Sequence, residues 1–143
     1  KNKQASTSGA QRPLPPPFHY FAQFLAEYEN RFEKEYGPVF IQGDHFQASA
    51  KKFKQNPESE IKAIRELIEE AIAAGFFNID IDTSTLVDIS KPDLDEQQKL
   101  NYELCAEFTR FIREKQPAGV TISVGGEIGE VGERTAHEKT WRN

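Results

Sequence analysis

Three short apolar segments recur along this chain at intervals of roughly 40 residues with helix-forming stretches between them, and that rhythm restricts the fold more than any single motif does. The first is Val39-Phe40-Ile41-Gln42-Gly43, the second Phe77-Asn78-Ile79-Asp80-Ile81-Asp82 and the third Val120-Thr121-Ile122-Ser123-Val124. The second alternates strictly, as a strand with one apolar and one polar face does. Before the first strand, Phe18, Phe21, Phe24, Leu25, Tyr28 and Phe32 fall at helical spacing, and that helix is expected to stop near Gly37-Pro38. Asn56-Pro57 opens a second helix with a capping side chain and a proline that loses nothing at the first helical position. Glu58 and Glu60 suit its positive end, Ile61, Ile64, Ile68, Ala71 and Ile72 form its buried stripe, and Gly75 ends it. A third helix is expected from Asp95, which with Gln98 resembles a capping box, and carries the stripe Leu100, Leu104, Phe108, Phe111 and Ile112.

The order is therefore α-β-α-β-α-β, which predicts parallel strands joined by helical crossovers. The rhythm suits an open doubly wound sheet and a barrel alike. Three strands alone would leave exposed edges on both sides, and an eight-unit barrel takes ~250 residues. The 143 residues, which do not begin with Met, are thus expected to be a segment of a larger domain, or a domain with parts missing from this sequence. Residues 1–17 read as an irregular Pro-rich lead-in, 18–132 as the βα units, and 133–143 as an unplaced polar tail.

The balance of 37% apolar and 29% charged residues is that of a globular chain on the polar side, and a net charge of −5 disfavours nucleic acid or an anionic membrane as partner. No apolar run approaches the ~18 residues of a membrane span, and the first residues form no signal peptide. With Cys105 the only cysteine, no internal disulfide can form. A soluble, cytoplasmic protein is the expectation.

In parallel α/β folds the reactive groups gather at the carboxyl ends of the strands. The first strand runs into Gly43-Asp44-His45. A neutral imidazole can ligate a divalent metal while an adjacent carboxylate moves a proton; equally, the pair could cap a loop and a turn. Gly43 would allow close approach of the backbone. Asp80 and Asp82 share a face, which is either an inward-facing polar site or a half-exposed, solvated one. Asp88 lies in a loop, where carboxylates commonly cap helices. Glu127 is enclosed by Gly125, Gly126, Gly129 and Gly132, a composition that marks either backbone approaching a ligand or a flexible loop. No Gly-Lys-Ser/Thr phosphate loop, G-x-S-x-G elbow or CxxC pair is present. His19 and His137 read as structural or solvated, and Cys105 as a packing residue.

Taken together, Gly43-Asp44-His45, the segment Ala74-Gly75-Phe76-Phe77-Asn78-Ile79-Asp80-Ile81-Asp82-Thr83-Ser84, and Val124-Gly125-Gly126-Glu127-Ile128-Gly129 resemble, in order and spacing, the class II zinc-dependent fructose- and tagatose-bisphosphate aldolases over about residues 38 to 132. The resemblance implies part of a TIM (β/α)8 barrel and metal-assisted reversible aldol cleavage of a ketose bisphosphate to dihydroxyacetone phosphate and an aldehyde. It implies Asp44 as the catalytic acid/base, His45 as a ligand of Zn2+ or another divalent cation, and Asp88 and Glu127 as acidic groups of the metal site. A phosphorylated sugar would be the substrate, within a homo-oligomer or a hetero-oligomer with other barrel subunits. Where the family often has His two residues before the Asp, this chain has Gln42, and Gly125 stands for the first Glu of a V-E-x-E motif. The further zinc histidines and phosphate loops of the family belong to later strands. The chain also resembles the non-catalytic subunit of tagatose-bisphosphate aldolase, which implies the alternative of a partner that stabilises or activates a catalytic aldolase.

Overall fold

The computed structural model describes residues 16–31, 35, 37, 40–131 and 134–135. Helix α1 (Pro16–Arg31) is followed by strand β1 (Gln42–Gln47), a short helix α2 (Ala50–Gln55), helix α3 (Pro57–Ala73) and strand β2 (Asn78–Asp82). A single 3₁₀ turn (Ser84–Leu86) then leads to helix α4 (Leu94–Lys115), strand β3 (Ser123–Gly126), and a minimal antiparallel pair β4 (Glu130–Val131) and β5 (Arg134–Thr135). The three main strands form one parallel sheet in the order β1-β2-β3. The architecture is α/β, with α3 and α4 as the crossovers between neighbouring strands.

Both crossover helices serve one core. Ile64, Ile68, Ala71 and Ile72 of α3 and Leu104, Phe108 and Ile112 of α4 are buried with Phe46, Ile79 and Ile81 of the sheet. Burying each Ile, Leu or Phe among these stabilises the fold by about 1.5–3 kcal/mol. The helices are also tied side by side. Arg65 bonds Glu107 at 2.6 Å, Lys115 bonds Glu69 at 2.6 Å, and both cations sit over the Phe111 ring at 5.3 Å from its centroid. At the start of β2, α1 packs an edge-to-face Phe21–Phe76 pair, with centroids 5.3 Å apart. The alternation of β2 places Asn78, Asp80 and Asp82 on the face away from the Ile79–Ile81 core, in register with Gln42 and Gln47 of β1 and with Ser123 and Gly125 of β3. One face of this sheet is a hydrocarbon core and the other is polar across all three strands.

Several boundaries differ from the sequence expectation, each for a local reason. Strand β1 begins at Gln42, with Phe40 78% exposed rather than buried. Asp44-His45 therefore lies inside the strand and not at its end, because the ladder with β2 continues to Gln47. Strand β3 begins at Ser123 rather than Val120, since the Ile122 backbone is claimed by side chains: Arg113 donates to its carbonyl at 2.6 Å and its N–H donates to Gln116 at 3.2 Å. Helix α4 is capped by Asp93, whose carboxylate accepts from the Glu96 N–H at 2.9 Å, not by Asp95; Asp93 with Glu96 satisfies the same capping pattern two residues earlier. Pro16 and Pro17 belong to the first turn of α1 rather than to the lead-in, a position where proline costs no hydrogen bond. Helix α2 has no counterpart in the sequence reading. Ser49 caps it, and Glu60 of α3, buried, accepts from the Ser49 N–H at 2.7 Å. Helix α3 starts at Pro57 behind the Asn56 cap as expected. The end of the first helix near Gly37-Pro38, the side chain of His19, and His137 with most of the polar tail lie outside the described residues.

Candidate metal centre

The polar face converges on a kink in β1. Gly43 pairs with Ile79 and Phe46 with Ile81, so Asp44 and His45 together oppose the single residue Asp80. This is a β-bulge, infrequent between parallel strands. Its consequence is visible in the burial pattern: Gly43 and Phe46 face inward while Asp44 and His45 are both exposed, where plain alternation would have placed His45 with Gly43. The extra residue adopts φ 50° at His45, the only non-glycine residue with positive φ among the described residues. That conformation costs roughly 1–2 kcal/mol for an ordinary L-residue and persists where neighbours enforce it.

The enforcing neighbour is Asp82. Its Oδ2 lies 3.3 Å from His45 Nδ1 and accepts from Gln47 Nε2 at 2.5 Å, while its Oδ1 accepts from the Ser84 hydroxyl at 2.7 Å and the Ser84 N–H at 3.2 Å. Asp82 is 2% exposed. Burial by itself would raise its pKa, but the hydrogen bonds from Ser84, Gln47 and His45 outweigh it and hold the carboxyl below the usual Asp value. With Nδ1 turned to Asp82, the other ring nitrogen, Nε2, lies 3.8 Å from Asp44 Oδ2. A carboxylate behind one ring nitrogen fixes the tautomer and aims the other, the arrangement that supports metal-ligating histidines.

Two further carboxylates complete the cluster. Single donor atoms of His45, Asp80 and Glu127 all lie within 4.8 Å of one another. Asp80 is 8% exposed, and its Oδ2 is buried with no hydrogen-bond partner. A buried polar atom left in that state costs about 1–3 kcal/mol, so the position calls for a ligand. The neighbouring strand makes room for this carboxylate: a Cβ at Gly125 would stand 2.6 Å from Asp80 Oδ1. The donor chemistry fits a divalent cation. Zinc accepts both imidazole nitrogen and carboxylate oxygen, although its usual catalytic sets carry more than one His or Cys, and a set this rich in oxygen also suits harder divalent ions. The exposed His45 and Glu127 side chains can close onto one ion with Asp80 as the fixed, buried member.

Of the four residues assigned a role from the resemblance, His45 and Glu127 are brought together, and Asp44 lies beside His45 at 3.8 Å. Asp88 is engaged elsewhere. Its Oδ1 accepts from the Ser90 hydroxyl at 2.6 Å and the Ser90 N–H at 3.1 Å, and these bonds lower its pKa. The third carboxylate of the cluster is Asp80, which the sequence marked as polar without a role. Its signal was present in the i, i+2 spacing with Asp82; what assigns the two roles is the register of β2 against the bulge and against Gly125.

The His45 imidazole is held above its ordinary pKa of 6.5, first by the hydrogen bond to Asp82 and then by the charge of Asp44. The corresponding stabilisation is fully present below pH 6.5 and is lost as the pH rises through the raised value. Asp82 has the opposite sign: its contribution is present above pH 3.8 and is lost as the pH falls through its lowered value. In the metal-free protein, the urea midpoint is therefore expected to fall as the pH is raised above 6.5, and His45→Gln should flatten that slope. A wild-type midpoint constant over this range would contradict the His45–Asp82 contact.

Comparison with protein-family models, with curated proteins and with solved structures yields no match to this chain.

Proposed function

We propose that the chain is a βα segment of a TIM-type barrel and carries the metal half-site of a ketose-bisphosphate lyase of the class II aldolase kind. The observation that carries this reading is the convergence of His45, Asp80 and Glu127 donor atoms within 4.8 Å on the polar face of a parallel sheet. The sequential strand order β1-β2-β3, with both crossover helices packed into one core, is the arrangement each arc of such a barrel has. In that setting the polar face of β2 points to the barrel interior, which gives Asp80 and Asp82 an enclosed position.

His45, Asp80 and Glu127 would hold the cation, which supplies Lewis-acid polarisation of the substrate ketone. Asp82 keeps the His45 ring aimed. Asp44, exposed and 3.8 Å from the ring, takes the proton of the substrate hydroxyl as the adjacent carbon–carbon bond breaks, and the bonding pair passes to the carbon next to the ketone. The same carboxylic acid returns the proton in the condensation direction. The substrate class is a phosphorylated ketose with vicinal hydroxyls, and the barrel assembles with further subunits of the same or a related kind.

The test is cleavage of fructose and tagatose 1,6-bisphosphates by the full-length protein, with zinc supplied and the triose products coupled to NADH oxidation. Zinc-dependent cleavage is expected, with Asp44→Asn lowering the rate by roughly 10²–10⁴-fold. A protein that binds zinc at this cluster, cleaves neither sugar and raises the activity of an added catalytic aldolase would overturn the enzyme reading in favour of a partner subunit.

A further inference from the structure

We infer that Asn101 of α4 is a positioning residue that fixes Glu127 for the cation, through a buried clamp built with Thr83; this rests on the metal reading of the cluster. Glu127 follows β3 in a run of glycines, the least constrained backbone of the site, and its neighbour Ile128 is 69% exposed. A ligand on such a segment needs an anchor elsewhere, because a site loosened by about 1 Å binds and reacts poorly.

The anchor comes from an anomaly in α4. The inward stripe of that helix consists of Gln97, Asn101, Leu104, Phe108 and Ile112. Its first two members are polar, yet each is only 6% exposed. Buried amides on the inner face of a helix cost stability unless paired, and the pairing of Asn101 is directed at the site. Its Nδ2 donates one proton to the Glu127 carbonyl at 2.9 Å and the other to Gln98 Oε1 at 3.0 Å. Its Oδ1 accepts from the Thr83 hydroxyl at 2.6 Å, and that hydroxyl also lies 3.0 Å from the Asn101 carbonyl. Both amide protons are used and the oxygen is occupied, so the side chain has one orientation and cannot flip without losing bonds. Thr83 is fully buried directly after β2. The clamp thus links the end of β2, which carries Asp80 and Asp82, to the loop after β3, which carries Glu127.

A second contact secures the far side of the loop. Gly129 fits where a Cβ would lie 2.8 Å from the Ser84 carbonyl and 2.6 Å from Val87 Cγ2. The loop is held at Glu127 by a hydrogen bond and two residues later by close packing, while the exposed Glu127 side chain can swing onto an ion.

Asn101→Leu keeps the volume and removes the donors. Thr83→Val keeps the shape and removes the hydroxyl that orients the amide; it serves should the first variant fold poorly. In the metal-free full chain, hydrogen exchange over residues 125–129 is expected to quicken about tenfold in either variant, with β2 and the C-terminal half of α4 unchanged. Zinc affinity is expected to fall about tenfold or more, the range seen when outer supports of metal ligands are removed. Exchange that stays unchanged at 125–129, or quickens uniformly across α4 and β2, would overturn the clamp. Unaltered zinc affinity in both variants, alongside normal binding by the wild type, would overturn the positioning role and leave the metal site standing. A wild-type chain that takes up no zinc would overturn the metal site itself, and with it the purpose assigned to Asn101.

Discussion

Replacing Gly43 by alanine is expected to destabilise the protein by about 3 kcal/mol, from the loss of a buried aromatic and overpacking of a filled core. The cause is the bulge. By inserting one residue between Gly43 and Phe46, it folds the Phe46 ring over Gly43, so that an added Cβ would fall inside the ring's van der Waals envelope, 2.8 Å from Cζ and closer still to Cε2. Phe46 is 3% exposed and packs in the same core as Ile64, Ile68 and Ile81. A Cβ at Gly43 overlaps the ring, so either the ring or the strand must shift. Both outcomes also undo the register that places Asp44 and His45 outward together. Urea denaturation measures the loss, and Gly43→Ala combined with Phe46→Leu should recover part of it, as expected for residues in contact. A single variant within about 0.5 kcal/mol of wild type, the scale of a surface change, would show that the bulge is not packed as described.

Asp80→Asn is expected to act in opposite directions on stability and on metal binding. In the metal-free protein the substitution removes a buried charge whose Oδ2 lacks a hydrogen-bond partner, and a gain of about 1 kcal/mol follows from the lessened desolvation cost. Metal affinity should fall about 100-fold or more, because the only buried donor of the three is lost. The two effects separate cleanly in one series of melts. Zinc at 100 times its Kd should stabilise the wild type by about 2.7 kcal/mol and leave Asp80→Asn nearly unmoved, so that the ranking of the two proteins reverses on adding metal. A variant less stable than wild type without metal, or equally stabilised by zinc, would show that Asp80 is a structural carboxylate. Residues retained at a cost to stability are expected at functional sites.

The strand–helix rhythm was legible because it depends on short-range periodicity: Ile64, Ile68, Ala71 and Ile72 of α3 are buried as their spacing implies, with Ile61 half-buried, and β2 alternates strictly, whereas Leu100 of the expected α4 stripe is exposed. The strand ends were less legible. Ile122 is fully buried and apolar, yet stands outside β3 because Arg113 and Gln116 take its backbone groups, a contact no local pattern announces. The same holds for the site. Asp44, His45 and Glu127 could be chosen from composition and from the resemblance, whereas the assignment of Asp80 to the cluster and of Asp82 to the imidazole depends on a one-residue bulge. Such a shift inverts which side chains face inward, and nothing in Gly43-Asp44-His45-Phe46 specifies it in isolation. Asn101 was hidden for a related reason. At the helical spacing of an apolar stripe, a polar residue reads as an interruption, and its meaning emerges only when the Glu127 carbonyl is found beside it.

His45, Asp80 and Glu127 are predicted to bind one divalent cation together. Equilibrium dialysis of the full chain against zinc, with metal content read by mass spectrometry, tests this most directly. One zinc per chain is predicted for the wild type and for Asp88→Asn, with binding lost in His45→Ala and Glu127→Gln and strongly weakened in Asp80→Asn. Zinc retained in all three cluster variants, or absent from the wild type at saturating concentration, would contradict it.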